Sequence, residues 1–133
     1  MTKTMACGLL LLISLPGLTL AEPMALRCVY TEVQFSAPYM SQPETRACPE
    51  NRCFYELRFD TAGNLGSVNA VEGYELTVDE GFFQLQRQVK NVIVSGTDSG
   101  SFRVNSADLS YRSHKTTPPG VMLETTGQCQ SID

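Results

Sequence analysis

The sequence predicts an all-β domain, a small antiparallel barrel or sandwich of about seven to nine short strands. Three observations support this fold class. Apolar and polar residues alternate with a period of two in several short segments. Gly, Pro, Asn and Asp, the usual turn residues, lie between those segments. The cysteines beyond the N-terminal apolar segment are even in number, which is typical of an exported domain held by disulfides.

Residues 1–21 are typical of a secretory signal peptide. Lys3 precedes an apolar run from Gly8 to Leu15, and Ala21 supplies the small residue expected at a cleavage site. A transmembrane helix needs about 20 continuous apolar residues, so this run favours a cleaved signal over an anchor. We therefore predict a single mature domain, residues 22–133, located in the periplasm or secreted.

The mature domain is acidic. Only one basic residue lies in the signal segment, which leaves nine basic against fourteen acidic side chains and a net charge of −5. Nucleic-acid binding requires basic surfaces that neutralise phosphates, so this charge argues against a nucleic-acid partner. The sequence does not predict an oligomeric state.

Cysteine spacing favours two structural disulfides. Zinc ligands usually come in close pairs and redox cysteines as C-x-x-C beside a helix start, and neither pattern is present. Cys7 is expected to leave with the signal, and the cysteines that remain are Cys28, Cys48, Cys53 and Cys129. They allow three pairings. We favour Cys48–Cys53, because turn-forming residues lie between them, and therefore Cys28–Cys129, which ties the first strand to the last.

The strands are predicted in order along the mature chain. Leu26 to Phe35 is rich in β-branched and aromatic residues and is the candidate first strand. Cys53 to Asp60 alternates apolar and polar residues, as a half-buried strand does. Further short strands are predicted at Ser67–Val71, Tyr74–Val78, Phe82–Gln86 and Val89–Ser95.

Residues 77–94 also carry a helical signal. Thr77 and Glu80 resemble a helix capping box, and apolar residues follow at helical spacing. Gly81 in the first turn and the β-branched run from Val92 to Val94 oppose a helix. We predict strands here, with a helix as the alternative.

The C-terminal third predicts three more strands. Apolar pairs spaced by two residues mark them: Phe102 and Val104, Leu109 and Tyr111, and Val121 and Leu123. Residues 118–120, Pro-Pro-Gly, break any helix and connect the last two strands.

The layout of these elements resembles that of small periplasmic β-proteins of proteobacteria, most of them without known function. The resemblance covers about 100 residues and rests on a first-strand cysteine, the segment FRVNSADLSY and the closing Gly127-Gln128-Cys129. Periplasmic inhibitors of lysozyme share the small disulfide-tied barrel, and their inhibitory loop carries Ser-Gly, two variable residues and Tyr. Here Ser99-Gly100 is followed by Arg103 where the tyrosine would stand.

Catalytic motifs are missing from the sequence. The single histidine, His114, lies in a polar stretch and is expected to be an exposed loop residue with no local partner for general-base catalysis. Neither a phosphate-binding glycine loop nor a G-x-S-x-G elbow occurs. We predict that the protein is not an enzyme and has no cofactor, metal or catalytic residue.

Two functions are consistent with these features. The first is an exported protein that binds another protein, as an inhibitor or an envelope accessory. Its possible partner surface is an acidic stretch without Lys or Arg, made of Glu72, Glu75, Asp79 and Glu80. The second is a carrier whose barrel interior encloses a small apolar ligand. Its lining would include Tyr55, Phe59, Phe102 and Tyr111.

Overall fold

The computed structural model describes residues 23–49 and 53–132, and within them it contains ten β-strands and no helix. The predicted signal segment and Cys7 lie outside the described residues. The strands are β1 (Pro23–Val29), β2 (Glu32–Ser36), β3 (Glu44–Ala47), β4 (Phe54–Asp60), β5 (Leu65–Val68), β6 (Val71–Asp79), β7 (Phe82–Lys90), β8 (Thr97–Asn105), β9 (Ser110–Thr117) and β10 (Val121–Ser131).

Eight of these strands close into an antiparallel barrel, which confirms the predicted fold class. Their order is β1-β4-β5-β6-β7-β8-β9-β10, and β10 pairs back with β1. Closure pairs both edges of every barrel strand, so none offers a free edge for aggregation. Strands β2 and β3 extend the sheet beyond β10.

The predicted first strand is broken in two. Strand β1 ends at Val29 and β2 begins at Glu32, yet both pair with β10, at its two different ends. On the other side, β4 lies against β1 and β3 lies against β2. The sequence did not predict β3, and together with this break it accounts for ten strands instead of seven to nine.

Residues 77–94 contain the end of β6, all of β7 and part of the following loop, so strands were predicted correctly over the alternative helix. The strand predicted at Val89–Ser95 is wrong, because β7 ends at Lys90 and residues 91–96 form a loop. The Asn91 side chain accepts hydrogen bonds from the backbone N–H groups of Ile93 and Val94, and such local bonds compete with a strand ladder.

Inward-facing side chains fill the barrel. Leu26 and Leu57 are direct cross-strand partners, and Leu85 lies opposite Phe102. The buried core comprises Leu26, Cys28, Leu57, Phe59, Val68, Leu76, Leu85, Phe102, Val104, Tyr111 and Cys129. Of the residues that marked the sequence pattern, Leu57, Phe59, Phe102, Val104 and Tyr111 belong to this core, whereas Leu109 precedes β9 and packs against the core while partly buried.

The four described cysteines form the two favoured pairs. Cys28 and Cys129 are bonded and buried, and they are cross-strand partners at the seam where β1 meets β10. Cys48 and Cys53 are bonded across the break between β3 and β4. Two such pairs are compatible with an oxidising, exported environment.

Candidate functional site

The loop between β7 and β8 exposes three consecutive apolar residues. The exposed fractions of Val92, Ile93 and Val94 are 95%, 88% and 41%. Single exposed apolar residues are common on soluble proteins, but a contiguous apolar patch marks an interaction surface more often than chance exposure does. This loop is therefore the first candidate for a binding site.

Hydrogen bonds from Asn91 hold this loop in one shape. Its Oδ1 accepts from the backbone N–H groups of Ile93 and Val94, at 2.8 Å each. Its Nδ2 donates to Asp98 Oδ1 at 3.0 Å, and its backbone N–H donates to the Gly96 carbonyl at 3.0 Å. A loop ordered in this way loses less conformational entropy when it binds.

Two further loops lie at the same end of the barrel. A side chain at Gly96 would come within 2.7 Å of Pro118 Cγ, and one at Gly120 within 3.0 Å of Pro38 Cγ. The β7–β8 loop (91–96), the β9–β10 turn (118–120) and the β2–β3 loop (37–43) therefore form one surface, which we call the loop end. Tyr39 adds a ring that is 81% exposed.

The loop end is suited to insertion into a cleft. Its tip is aliphatic, and the two β-branched side chains of Val92 and Ile93 are almost fully exposed. Lys90 lies at the base of the loop, while Asp98 is already bonded to Asn91. The surface therefore offers exposed apolar area to a partner.

The predicted acidic stretch does not form one cluster. Glu75 and Asp79 lie on the same outward face of β6, four residues apart, which is about 13 Å along a strand. Glu80 lies in the β6–β7 turn, at the opposite end from the loop end, and Glu72 lies near the start of β6, where its register with β5 shifts. Within the described chain none of the four forms a salt bridge.

His114 is not the isolated loop residue that the sequence suggested. It lies on β9, and its Nδ1 is 2.8 Å from Glu124 Oε2 on β10. The two residues are ten positions apart in the sequence, and only the β9–β10 register brings them together. Ser101 is the cross-strand partner of His114 on the other side. Its hydroxyl makes no hydrogen bond to the ring, the contact that activates a nucleophile, in the chain as described.

The aromatic residues proposed to line a carrier cavity pack on one another inside the barrel. The ring centroid of Tyr55 lies 4.7 Å from that of Phe102 and 6.4 Å from that of Tyr111, and Phe59 lies 5.2 Å from Phe83. The Tyr111 hydroxyl bonds to Thr125 Oγ1 at 3.0 Å. Burial raises the pKa of Tyr55 to about 12, and burial likewise raises that of Tyr111.

The segment that resembles the inhibitory loop of lysozyme inhibitors has a different setting here. Ser99 to Arg103 lie within β8, paired with β7 on one side and β9 on the other. The exposed loop of this region is instead the one that precedes β8.

Comparison with protein-family models, with curated proteins and with solved structures finds no match. Among residues 23–49 and 53–132, no three His, Cys, Asp or Glu side chains are grouped so that they could hold a metal ion. No helix in the same ranges is long and apolar enough to cross a membrane.

The strand pattern located the barrel, but it missed the loop end. The missed signal is the flanking of Val92–Val94 by Asn91 and Gly96, two residue types that favour turns. Three β-branched residues in a row outweighed those flanks in the strand prediction.

Proposed function

We propose that this chain is an exported, non-enzymatic protein that binds another protein through its loop end. The observation that carries the proposal is the rigid, exposed presentation of Val92 and Ile93 by Asn91. Exposed aliphatic side chains contribute favourable free energy only when a partner removes them from water. A loop that is already ordered loses little conformational entropy on binding, so most of that free energy remains available for affinity. The two cysteine pairs support an exported location.

The partner in this proposal has an apolar cleft at its surface. An exposed loop tip with two β-branched side chains can bury them in an apolar cleft, as an inhibitory loop does in the cleft that it blocks. The packing of Tyr55, Phe102 and Tyr111 on one another supports binding at the surface over binding of a ligand inside the barrel.

The test replaces the tip while leaving the barrel intact. Burying a Val or Ile side chain fully contributes about 1.5–3 kcal/mol, so V92S combined with I93S should weaken partner binding by about a hundredfold or more. Both side chains are exposed, and the melting temperature should remain that of the wild type. The matched control is L65S combined with V78S, two exposed aliphatic residues near the opposite end of the barrel.

The partner is found by photo-crosslinking in the envelope. A photoreactive residue at position 92 should trap one protein, whose affinity for the purified variants is then measured, and the same residue at position 78 should not trap it. Equal trapping from both positions, or equal loss of affinity in both double variants, would exclude the loop end as the site. A bound small molecule detected by native mass spectrometry, with no trapped protein, would favour the carrier.

The acidic stretch is tested in the same assay. E75K combined with D79K reverses two outward charges on β6 without removing a hydrogen bond or salt bridge of the described chain. If these residues steer a basic partner, association should slow in the variant and in salt above about 0.1 M. Association that is indifferent to both changes would remove the acidic stretch from the interface.

A further inference from the structure

Two arginines lie side by side on the outer face of the barrel, away from the loop end. Arg103 on β8 and Arg112 on β9 are direct cross-strand partners, and both are exposed. No carboxylate of the described chain lies within salt-bridge distance of either guanidinium. Like charges directly opposite each other on a sheet are destabilising. The chain has more acidic than basic residues, yet no acidic residue stands opposite either arginine in this pair.

Arg103 is held in place by its neighbours. Its guanidinium carbon lies 4.0 Å from the centroid of the Phe82 ring, and its Nη1 donates to Gln84 Oε1 at 3.0 Å. Stacking and a neutral acceptor orient the guanidinium but leave its charge uncompensated. A charge fixed in this way is available to an anion from solution.

Arg112 is free to converge on the same anion. Its backbone lies in the sheet between β8 and β10, but its guanidinium makes no hydrogen bond, salt bridge or ring contact with the rest of the described chain. The nearest row of outward side chains contains Glu124, which is engaged with the ring of His114 at 2.8 Å. Glu32 and Glu124 border a second depression on the other side of Arg112.

A depression of about 390 Å³ is bordered by both arginines. Its polar lining is neutral apart from the two guanidinium groups, and its border includes Phe82, Arg103, Asn105, Ser110, Arg112 and Thr126. The Thr126 hydroxyl and the Asn105 side-chain NH₂ at this border can donate hydrogen bonds to an oxyanion, whereas the Ser110 hydroxyl already donates to Asp108 Oδ1 at 2.8 Å. The depression is wide enough for a phosphate group with a small substituent.

We propose that Arg103 and Arg112 together bind the phosphate group of a phosphate monoester. Two guanidinium charges match the charge of about −1.5 to −2 that a phosphate monoester carries near pH 7, whereas a carboxylate matches one. Guanidinium groups bind phosphate oxygens in bidentate fashion, and cross-strand partners lie about 5 Å apart at Cα, close enough to share one tetrahedral anion. Soluble metabolites and lipid headgroups both carry such a phosphate, and the test distinguishes them.

The test is a titration with inorganic phosphate at constant ionic strength, followed by amide chemical shifts. We expect the shifts of residues in β8 and β9 around the two arginines to saturate, and R103Q combined with R112Q to weaken binding tenfold or more. The matched control is R27Q combined with R58Q, which removes the same charge from the two arginines beside Glu56.

Two outcomes would overturn the proposal, and two others would assign the ligand. Equal weakening in both double variants would show a general charge effect and overturn it, as would no saturable shift in the wild type. Given saturable binding of inorganic phosphate, binding of glycerol phosphate assigns a soluble ligand. Binding of phosphatidic acid vesicles but not of glycerol phosphate, lost in R103Q with R112Q, assigns a lipid headgroup. V92S combined with I93S should bind phosphate normally, so failure of the loop end as a protein site would leave this site standing.

Discussion

Replacing Asn91 by alanine tests whether one side chain shapes the loop end. The substitution removes three hydrogen bonds, two from the backbone N–H groups of Ile93 and Val94 and one to Asp98. Each bond contributes about 0.5–1.5 kcal/mol net, and water can replace the two exposed ones, so values near the lower limit apply. The free energy of opening the loop should therefore fall by about 1.5–2 kcal/mol.

Amide hydrogen exchange measures this change directly. A loss of 1.4 kcal/mol corresponds to a factor of ten, so protection of the Ile93 and Val94 amides should fall roughly ten- to thirtyfold in N91A. Protection in the core strands should fall much less, because the opening is local. Binding of the partner should weaken as well, since the loop must then be ordered on binding.

Asn105 provides a matched control at the other end of the barrel. Its Oδ1 accepts from the backbone N–H groups of Ala107 and Asp108, at 2.8 and 3.1 Å, in the same type of turn. N105A should loosen the β8–β9 turn and leave Ile93 and Val94 protected. Two results would refute the idea that the Asn91 side chain fixes the apolar tip: unchanged protection of the Ile93 and Val94 amides in N91A, or an equal loss of their protection in N105A.

Two further predictions concern the barrel itself. Cys28 and Cys129 are 101 residues apart, and replacing both by alanine should lower the free energy of unfolding by about 4.7 kcal/mol or more in urea titrations. The same change at Cys48 and Cys53, which are five residues apart, should lower it by about 2 kcal/mol. A larger loss at Cys48 and Cys53 would contradict the loop-closure argument. Burial raises the pKa of Tyr55 to about 12 in the folded state, against about 10 in the unfolded state. Its contribution to the free energy of unfolding is therefore complete below about pH 10 and is lost as the pH rises towards 12. The stability lost in this pH range is about 1–2 kcal/mol after allowance for solvent screening. Melting temperatures measured from about pH 8 to 12 should therefore fall less steeply in Y55F than in the wild type. Equal slopes would argue against a raised pKa of Tyr55.

Period-two patterns predicted the barrel because burial acts on alternate residues of a strand. Phe102, Val104 and Tyr111 were chosen from alternation alone, and all three lie in the core. The same logic applies to Leu57 and Phe59 on β4. One buried face is enough to fix both the strand and its orientation, since a slip by one residue would expose every apolar side chain.

Pairings between distant residues could not be predicted in this way. His114 and Glu124 meet because β9 and β10 align at one register, and Arg103 meets Arg112 for the same reason across β8 and β9. A hairpin register depends on turn geometry, which single residues in the sequence specify weakly. Sequence motifs therefore predicted neither the pairing of His114 with Glu124 nor that of Arg103 with Arg112.

The loop end was missed for a different reason, and that reason bears on its function. Val92, Ile93 and Val94 have strong β propensity, so extension of the β7–β8 hairpin would satisfy their local preference. Asn91 instead supplies the hydrogen bonds of a turn and leaves Val92 and Ile93 in water. A conflict between local preference and observed structure, with no gain to the fold, is typical of a functional site. Under the proposed function, a partner that covers the two side chains would supply the compensation that the barrel does not.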